Sequence, residues 1–571
     1  MSDSDNGTLQ PKKADKKEMS METRLLLSFV LMGVVLFATQ YLFKPAAQDK
    51  PATVKQTQPV VPQQQAEKPL PAAEPSGLPL AGAVAASRDE QFTIETDVYK
   101  VVFLNRGAVI RSWTLKKYHD GKGNPLEVVN SAAAAKVYYP FSVLFKNQKT
   151  STDVNQALYV AKPAADGLGV DYEYSDGKTT ARKSFRFKKN SYLTNVSSEV
   201  LEGTAPVPHL LAWRGGFGDS SVVNAAAGQH SLHFDTAQNK LIVQDAKAAK
   251  DGPVINSGNY SFAGLEDTFF AVVVLPKGQV EIQTMQDMLP TVADPGKEEP
   301  HVGAAMGGEG VNQFAMFLGP KDIDLLRRVD PKLENIVDFG WFAILAKPLF
   351  LSLNWVNDKY VHNYGWSIVL VTIAINFLLL PLKFTSLKSM KKMQMLQPQI
   401  AVINDKYKNI GIRDPKKADQ NAETMALYKA NGVNPMGGCM PLALQIPFFI
   451  AYYKVLSVSI EMRGAHWLWV TDLSQPETLA IHILPLLMIG TQFLLQKMTP
   501  STTADPAQQK VMMLMPLMMG FFFYSAQSGL VLYWLTGNVV GLAQQWFFNR
   551  ASSTPLATQL IPASKKKNGR N

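Results

Sequence analysis

At 571 residues the chain has room for a soluble domain beside a membrane bundle, and its mean hydropathy of -0.05 reads as the average of two unlike halves. The single cysteine, Cys439, excludes an internal disulfide and a cysteine-rich metal site. The formal net charge of +10 raises nucleic acid as a partner, but in a chain with several apolar spans such an excess belongs to cytoplasmic loops and tails. The eight histidines are scattered, and His230 and His233 form no ligand set with nearby carboxylates. No cofactor or metal is expected.

In chain order, residues 1–23 form a mixed-charge tail, with Lys12, Lys13, Lys16 and Lys17 against Asp15 and Glu18. Residues 24–43 hold an apolar run that exceeds the usual 7–15 residues of a cleaved signal core, which favours an uncleaved signal anchor. Residues 44–87 are rich in Pro, Gln, Ala and Lys without an apolar period. That composition cannot bury a core and reads as a disordered tether.

From 88 to about 325 the texture changes to short alternating runs punctuated by Gly, Asn and Asp. Strands are predicted at 92–96, 99–104, 109–115, 141–145, 170–174, 184–187, 241–244, 269–275 and 280–284, the pattern of a large antiparallel β-sandwich. Gly216-Phe-Gly-Asp219 matches an intramembrane aspartyl protease signature. That signature belongs on a spanning helix, so chance is the better account here. Residues 336–358 mix apolar side chains with Asp338, Lys347 and Asn354, which suits an interfacial amphipathic helix.

Between 364 and 548 five apolar spans follow, at 366–382, 440–460, 481–495, 511–524 and 529–548. Each meets or approaches the roughly 20 residues a spanning helix needs. Asn376, Gln445, Lys454, Gln492, Asn538 and Gln544 are seeded among them. Polar groups at membrane depth face a bundle interior or a wet cavity and mark the functional region. The 383–438 loop carries ten basic residues against four acidic ones, whereas 461–480 has a single Arg463 and 525–528 has no charge. The rule that cytoplasmic loops are basic puts the large loop and both termini inside, the β domain outside, and predicts six spans in all.

Met395-Leu-Gln-Pro-Gln399, Met425-Ala-Leu-Tyr-Lys429, Val433-Asn-Pro-Met-Gly-Gly-Cys-Met-Pro441, Gln445-Ile-Pro447, Gln496-Lys-Met498, Asp505-Pro-Ala-Gln-Gln-Lys510 and Ser528-Gly-Leu-Val-Leu-Tyr533 occur in this order. They resemble the YidC-type membrane protein insertases. The preceding span, tether and sandwich are similar in architecture to the long bacterial form with a periplasmic β domain, with Gly319-Pro-Lys-Asp322 as the motif support there. The resemblance implies a fold of six transmembrane helices with a five-helix insertase core (364–548), a cytoplasmic helical hairpin at 383–436 and a basic cytoplasmic tail at 549–571. It implies a protein of the bacterial inner membrane that takes hydrophobic segments of nascent proteins from the ribosome or the Sec translocon into the bilayer without nucleotide. Membrane lipids are expected partners, a specific nucleic-acid sequence is not, and the active unit is expected to be a monomer.

For the site, the resemblance implies a hydrophilic groove. Thr372 matches a substrate-contacting residue, Gln445 a groove residue and Tyr533 a family aromatic, with Trp534 in the second aromatic place; ordinary helix packing is the alternative for both aromatics. Where the family has an Arg, five residues before its Pro-Leu, this chain has Asn376. The groove cation is then either Lys454 or absent, since Lys454 also suits an outer helix end from which it snorkels to the interface. In the hairpin, Met390, Lys391, Lys392, Met393 and Met395 are expected to contact client segments or the ribosome, the flexible Met side chains suiting varied apolar surfaces; packing of the two hairpin helices is the alternative. Because these motifs lie beyond residue 360, the β domain is expected to be largely dispensable for insertion. A secondary transporter would also carry midmembrane polar residues, but it calls for an internal repeat with broken helices, and none is visible. A membrane-anchored enzyme calls for a nucleophile and base or a metal set, and none emerges.

Overall fold

The computed structural model describes residues 78–551 apart from 81, 147–148, 223–224, 291–295, 309, 409–413, 415, 434–439 and 500–505. The expected cytoplasmic tail, signal anchor and most of the tether, the middle of the 433–441 motif and the basic tail beyond 551 lie outside the described residues.

The alternating stretch folds as expected, and every pairing between named strands is antiparallel. Strand Tyr99–Leu104 coincides with its predicted bounds, and its side chains alternate between core and surface, as a two-residue pleat requires. One layer runs through Gly169–Asp176, Thr179–Phe187, Leu193–Glu202, Val311–Pro320 and Phe270–Leu275. The other runs through Gln279–Pro290, Glu298–Gly307, His209–Trp213 and Ser142–Phe145. The long strand Val254–Glu266 belongs to both: residues 254–259 pair with Gln279–Pro290, and residues 263–266 pair with Phe270–Leu275. A separate four-stranded sheet contains Gln91–Glu95, Tyr99–Leu104, Val109–His119 and Pro125–Glu127. Their facing side chains, among them Phe103, Trp113, Phe185, Trp213, Val302 and Phe314, make one buried core.

Strand Leu193–Glu202 departs from simple alternation, because it is buried on both faces. Val196 and Val200 point into the sandwich core. Leu193 joins a second cluster with Val273, Phe317 and Phe262 that continues through Leu326, Leu333 and Ile336 to the helices. The outer face of the first layer is therefore covered by the chain that leaves it. Helix α1 (Ile323–Val329) starts there, capped by Asp322, whose carboxylate accepts the Leu325 N–H at 2.9 Å, the usual service of an N-cap acid.

The expected interfacial helix is shorter than predicted. Residues Pro331–Ile336 form a 3-10 turn, and helix α2 spans only Ala343–Val356. Its outward side is mixed, with Lys347 and Ser352 exposed beside apolar residues. Ala346, Leu349, Phe350 and Leu353 are buried against the bundle, while Trp341, Ile344, Leu351 and Trp355 face outward. Helix α3 (Tyr364–Leu378) breaks at Leu379 just before Pro381, and α4 (Leu380–Lys406) carries on as the first arm of the hairpin. The second arm is α5 (Lys416–Ala430). The remaining helices are α6 (Met440–Val458), α7 (Ile483–Met498), α8 (Pro506–Phe523) and α9 (Ser528–Ala551). Flanking residues lengthen α8 beyond the predicted 511–524.

The five apolar spans are thus all helical. Among the described residues, however, no single helix is long and apolar enough to cross a membrane, and only the pair Ala343–Val361 and Tyr364–Leu378, bent by 116°, passes such a test together. The cause is compositional. Helix α7 has 16 residues, about 24 Å at 1.5 Å per residue, and the longer α9 gives up apolar positions to Asn538, Gln544 and Gln545.

Candidate functional site

Helices α3, α4, α6 and α9 converge on a small cleft lined by Ile375, Asn376, Leu379, Leu382, Lys383, Gln445, Phe448 and Tyr533. Asn376 holds its place by donating from Nδ2 to the Thr372 carbonyl at 2.8 Å, one turn back. Its Oδ1 accepts from Lys383 Nζ at 2.6 Å. Gln544 on α9 donates to the Asn376 carbonyl at 3.3 Å, and its Oε1 accepts from Lys383 Nζ at 3.4 Å. Two amides thus share one ammonium group.

The cation of the cleft is therefore Lys383. It stands seven residues after Asn376, across the break at Leu379 that separates α3 from α4. Sequence reading had counted it only as part of a basic loop. Lys454 lies elsewhere, with its methylene stem beside the backbone of Gly340 in the turn that precedes α2. It does not line the cleft.

The remaining sequence candidates divide in two. Asn376, Gln445 and Tyr533 meet in the cleft. Thr372 is fully buried behind it, 3.4 Å from the Tyr452 hydroxyl, and Tyr452 stacks on Tyr533 with centroids 4.3 Å apart. Trp534 turns away. It packs on Phe449 and Phe523 and donates from Nε1 to Gln492 at 3.2 Å, so the packing account fits it. Asn538 likewise serves packing, donating to the Met488 carbonyl on α7 at 3.2 Å.

In the hairpin, Met393 is buried with Leu396, Ile400, Ile403, Leu427 and Val433, at the three- and four-residue spacing of a helix seam. Met390 is buried as well, Lys391 and Met395 are half-buried, and Lys392 is exposed. Lys406 and Glu423 pair at 2.9 Å across the arms. For Met393 the geometry matches hairpin packing and leaves little surface for a client.

At the opposite end of the bundle, the 459–480 loop lies over the starts of α3 and α9. Asn363 Nδ2 donates to the His466 carbonyl at 2.9 Å, Ser528 N–H to the Gln475 carbonyl at 2.8 Å, and Gly529 N–H to the Leu473 carbonyl at 2.9 Å. Trp467 packs closely on Gly365, where an added Cβ would stand 2.2 Å from its ring. Glu461 is in this loop, and burial, reinforced by Asp322, Asp324 and Asp358, pushes its carboxyl up to about 7.

Outward from the cleft the bundle presents apolar side chains to its surroundings. Phe521, Phe522, Leu517, Met513, Leu487 and Phe493 are exposed along α7 and α8. Apolar on its outer face, with a few polar groups gathered in an inner cleft and a β domain attached, this arrangement is that of an integral membrane protein. Family models match nearly all of the described chain: the YidC periplasmic domain over residues 91–352 and the 60Kd inner membrane protein over residues 355–555. A membrane protein insertase YidC of Syntrophus aciditrophicus is 32% identical over 570 residues, covering 93% of this chain and all of the relative. That of Cupriavidus taiwanensis is 34% identical over 495 residues, covering 84% and 85%. A crystal structure of active YidC insertase with its first transmembrane domain resolved covers 81% of this chain and 93% of its own at 19% identity, with a TM-score of 0.35. The chain belongs to the YidC family of membrane protein insertases.

Proposed function

We propose that this protein inserts hydrophobic segments of nascent proteins into the bacterial inner membrane, alone or beside the Sec translocon, through the cleft between α3, α4, α6 and α9 and without nucleotide hydrolysis. The observation that carries the reading is the Asn376–Lys383–Gln544 cluster, held next to Gln445 inside a bundle whose outside is apolar. Unsatisfied polar groups in hydrocarbon cost several kcal/mol each. A polar flank of a client needs a wet place to pause, and the surrounding lipid then takes the apolar part. The hairpin of α4 and α5, with Lys392 exposed on it, suits first contact with a client at the ribosome. In this reading six helices cross the membrane, both termini are cytoplasmic, the active unit is a monomer, and the residues at 88–325 lie in the periplasm.

Reconstitution in liposomes tests it. A small single-span client is expected to insert without ATP; solute flux with no insertion would indicate a transporter instead. For topology, cysteine labelling of intact spheroplasts should reach positions at 100–300 and miss those at 385–435. Labelling of the hairpin from outside would overturn the orientation.

A further inference from the structure

The loop over the cleft helices is anchored in the β domain by its first few residues. Ile460 is buried in the sandwich core with Phe269 and Phe270. Two residues on, Met462 is buried in the cluster that runs on to the helices. Arg463 then turns back into the β domain. Its guanidinium pairs with Asp219, donates to the His119 carbonyl at 2.7 Å, and lies 5.4 Å from the centroids of both Phe269 and Phe270. The pair is buried, with side-chain exposures of 8% and 2%. Asp219 is itself fixed: its carboxylate accepts the Ser221 N–H and hydroxyl at 2.8 and 2.6 Å, and its N–H donates to Asp267 at 2.8 Å. Burial holds the Asp267 carboxyl above its ordinary range.

We propose that Arg463 is a positioning residue through which the β domain fixes the first turn of the 459–480 loop, keeping that loop seated over the starts of α3 and α9 while a segment passes. The reasoning is geometric. The far part of the loop is held by the bundle itself, through backbone hydrogen bonds and through Trp467, Val470 and Leu473 buried among the helices, so what Arg463 fixes is the loop's first turn. The tether there is a buried, doubly bonded arginine between two rings. Removing one partner of a buried ion pair leaves an uncompensated charge and is strongly destabilising, whereas replacing both is far milder. The inference rests on the insertase reading, because a seal matters only where segments pass.

The test uses the full chain in proteoliposomes, as wild type, Arg463→Met, Arg463→Lys and the double variant Arg463→Met with Asp219→Asn. Amide exchange is read at two places in one sample: residues 463–475 and the sandwich core around 196–200. Leak of a trapped small dye is read during insertion of a single-span client. In Arg463→Met we expect exchange to speed up at least ~10-fold in the loop, more than in the sandwich core that keeps the orphaned Asp219 carboxylate, and dye leak to rise during insertion. Arg463→Lys should fall between, since an ammonium reaches one acceptor geometry and lacks the planar fork. The double variant, free of the orphaned carboxylate, should keep its sandwich intact and still leak. Wild-type loop protection and leak in Arg463→Met would overturn the proposal, as would a double variant that folds and seals. If wild type inserts no client, the insertase reading fails, while the exchange arm still judges the anchor.

Discussion

The β domain and the helical bundle solve burial in opposite directions. In the sandwich, Phe103, Trp113 and Phe185 are wholly inside, and charges that must enter are paired or caged: Arg182 with Glu199, Lys321 with Glu266, Lys183 with the carbonyls of Gly107, Ala108 and Phe141. The bundle also buries apolar side chains such as Val455, Leu456, Leu484 and Met488, but it turns large apolar side chains of α7 and α8 outward as well and sets amides and Lys383 in an inner cleft. Water as solvent selects the first arrangement and hydrocarbon the second. The difference teaches that one hydrophobic scale cannot be applied along this chain without first deciding which solvent each segment meets.

The comparison breaks first at phenylalanine. Phe185→Ala should cost the sandwich about 3–5 kcal/mol and lower the melting temperature of the β-sheet signal. Phe521→Ala, at a side chain 80% exposed, should shift detergent stability by less than about 0.5 kcal/mol. Equal losses would mean that α8 is packed against something other than lipid or detergent.

Next in size is the cleft. Lys383→Met leaves Asn376 and Gln544 with unmet acceptors, a cost of about 1–3 kcal/mol, and client insertion into liposomes should fall with it. Asn376→Leu should have a similar effect, because it removes the amide that holds the ammonium at 2.6 Å. Normal insertion by both variants would show that a polar cleft centre is unnecessary.

A smaller effect is expected from pH at the junction between the two regions. Burial raises Glu461 from its ordinary 4.5 to about 7, so the docked state binds more protons than the undocked one between those values. Docking stability is then fully present below about 4.5 and lost as pH rises through about 7. Glu461→Gln should flatten that slope in a denaturation series over pH 4–8. A slope retained in the variant would show that Glu461 is not its source. The smallest effect is expected from Lys454→Met, within about 0.5 kcal/mol and without preference between acidic and neutral clients. A selective loss with acidic clients would return the cleft cation to Lys454.

The junction also bears on the expectation that the β domain is largely dispensable. Leu193, Phe262 and Phe317 of the sandwich share a buried cluster with Leu353, Leu456 and Tyr533 of the helical region. A deletion uncovers the far side of that cluster, yet it also frees Arg463 to be solvated. Removal of the whole domain should therefore loosen the loop at least as much as Arg463→Met does, although it leaves no buried charge behind.

Much of this was legible in residue order. Strand positions followed from two-residue alternation, helix positions from apolar runs, and the family from motifs spread over 395–533. Alternation is a local property of the pleat and apolar length a local property of the helix, so each survives without knowledge of neighbours. What stayed hidden depended on which segments meet. Leu193–Glu202 alternates for one core, but its second face is covered by a chain segment more than a hundred residues away. Gly216-Phe-Gly-Asp219 had no meaning until Arg463 arrived across 244 positions. Lys383 counted as a loop charge until the break at Leu379 set it opposite Asn376 and Gln544. Composition and periodicity determine which solvent a segment prefers and which element it forms. Only the tertiary structure decides which polar groups find partners, because a buried charge is paid for by atoms that are distant in sequence and adjacent in space.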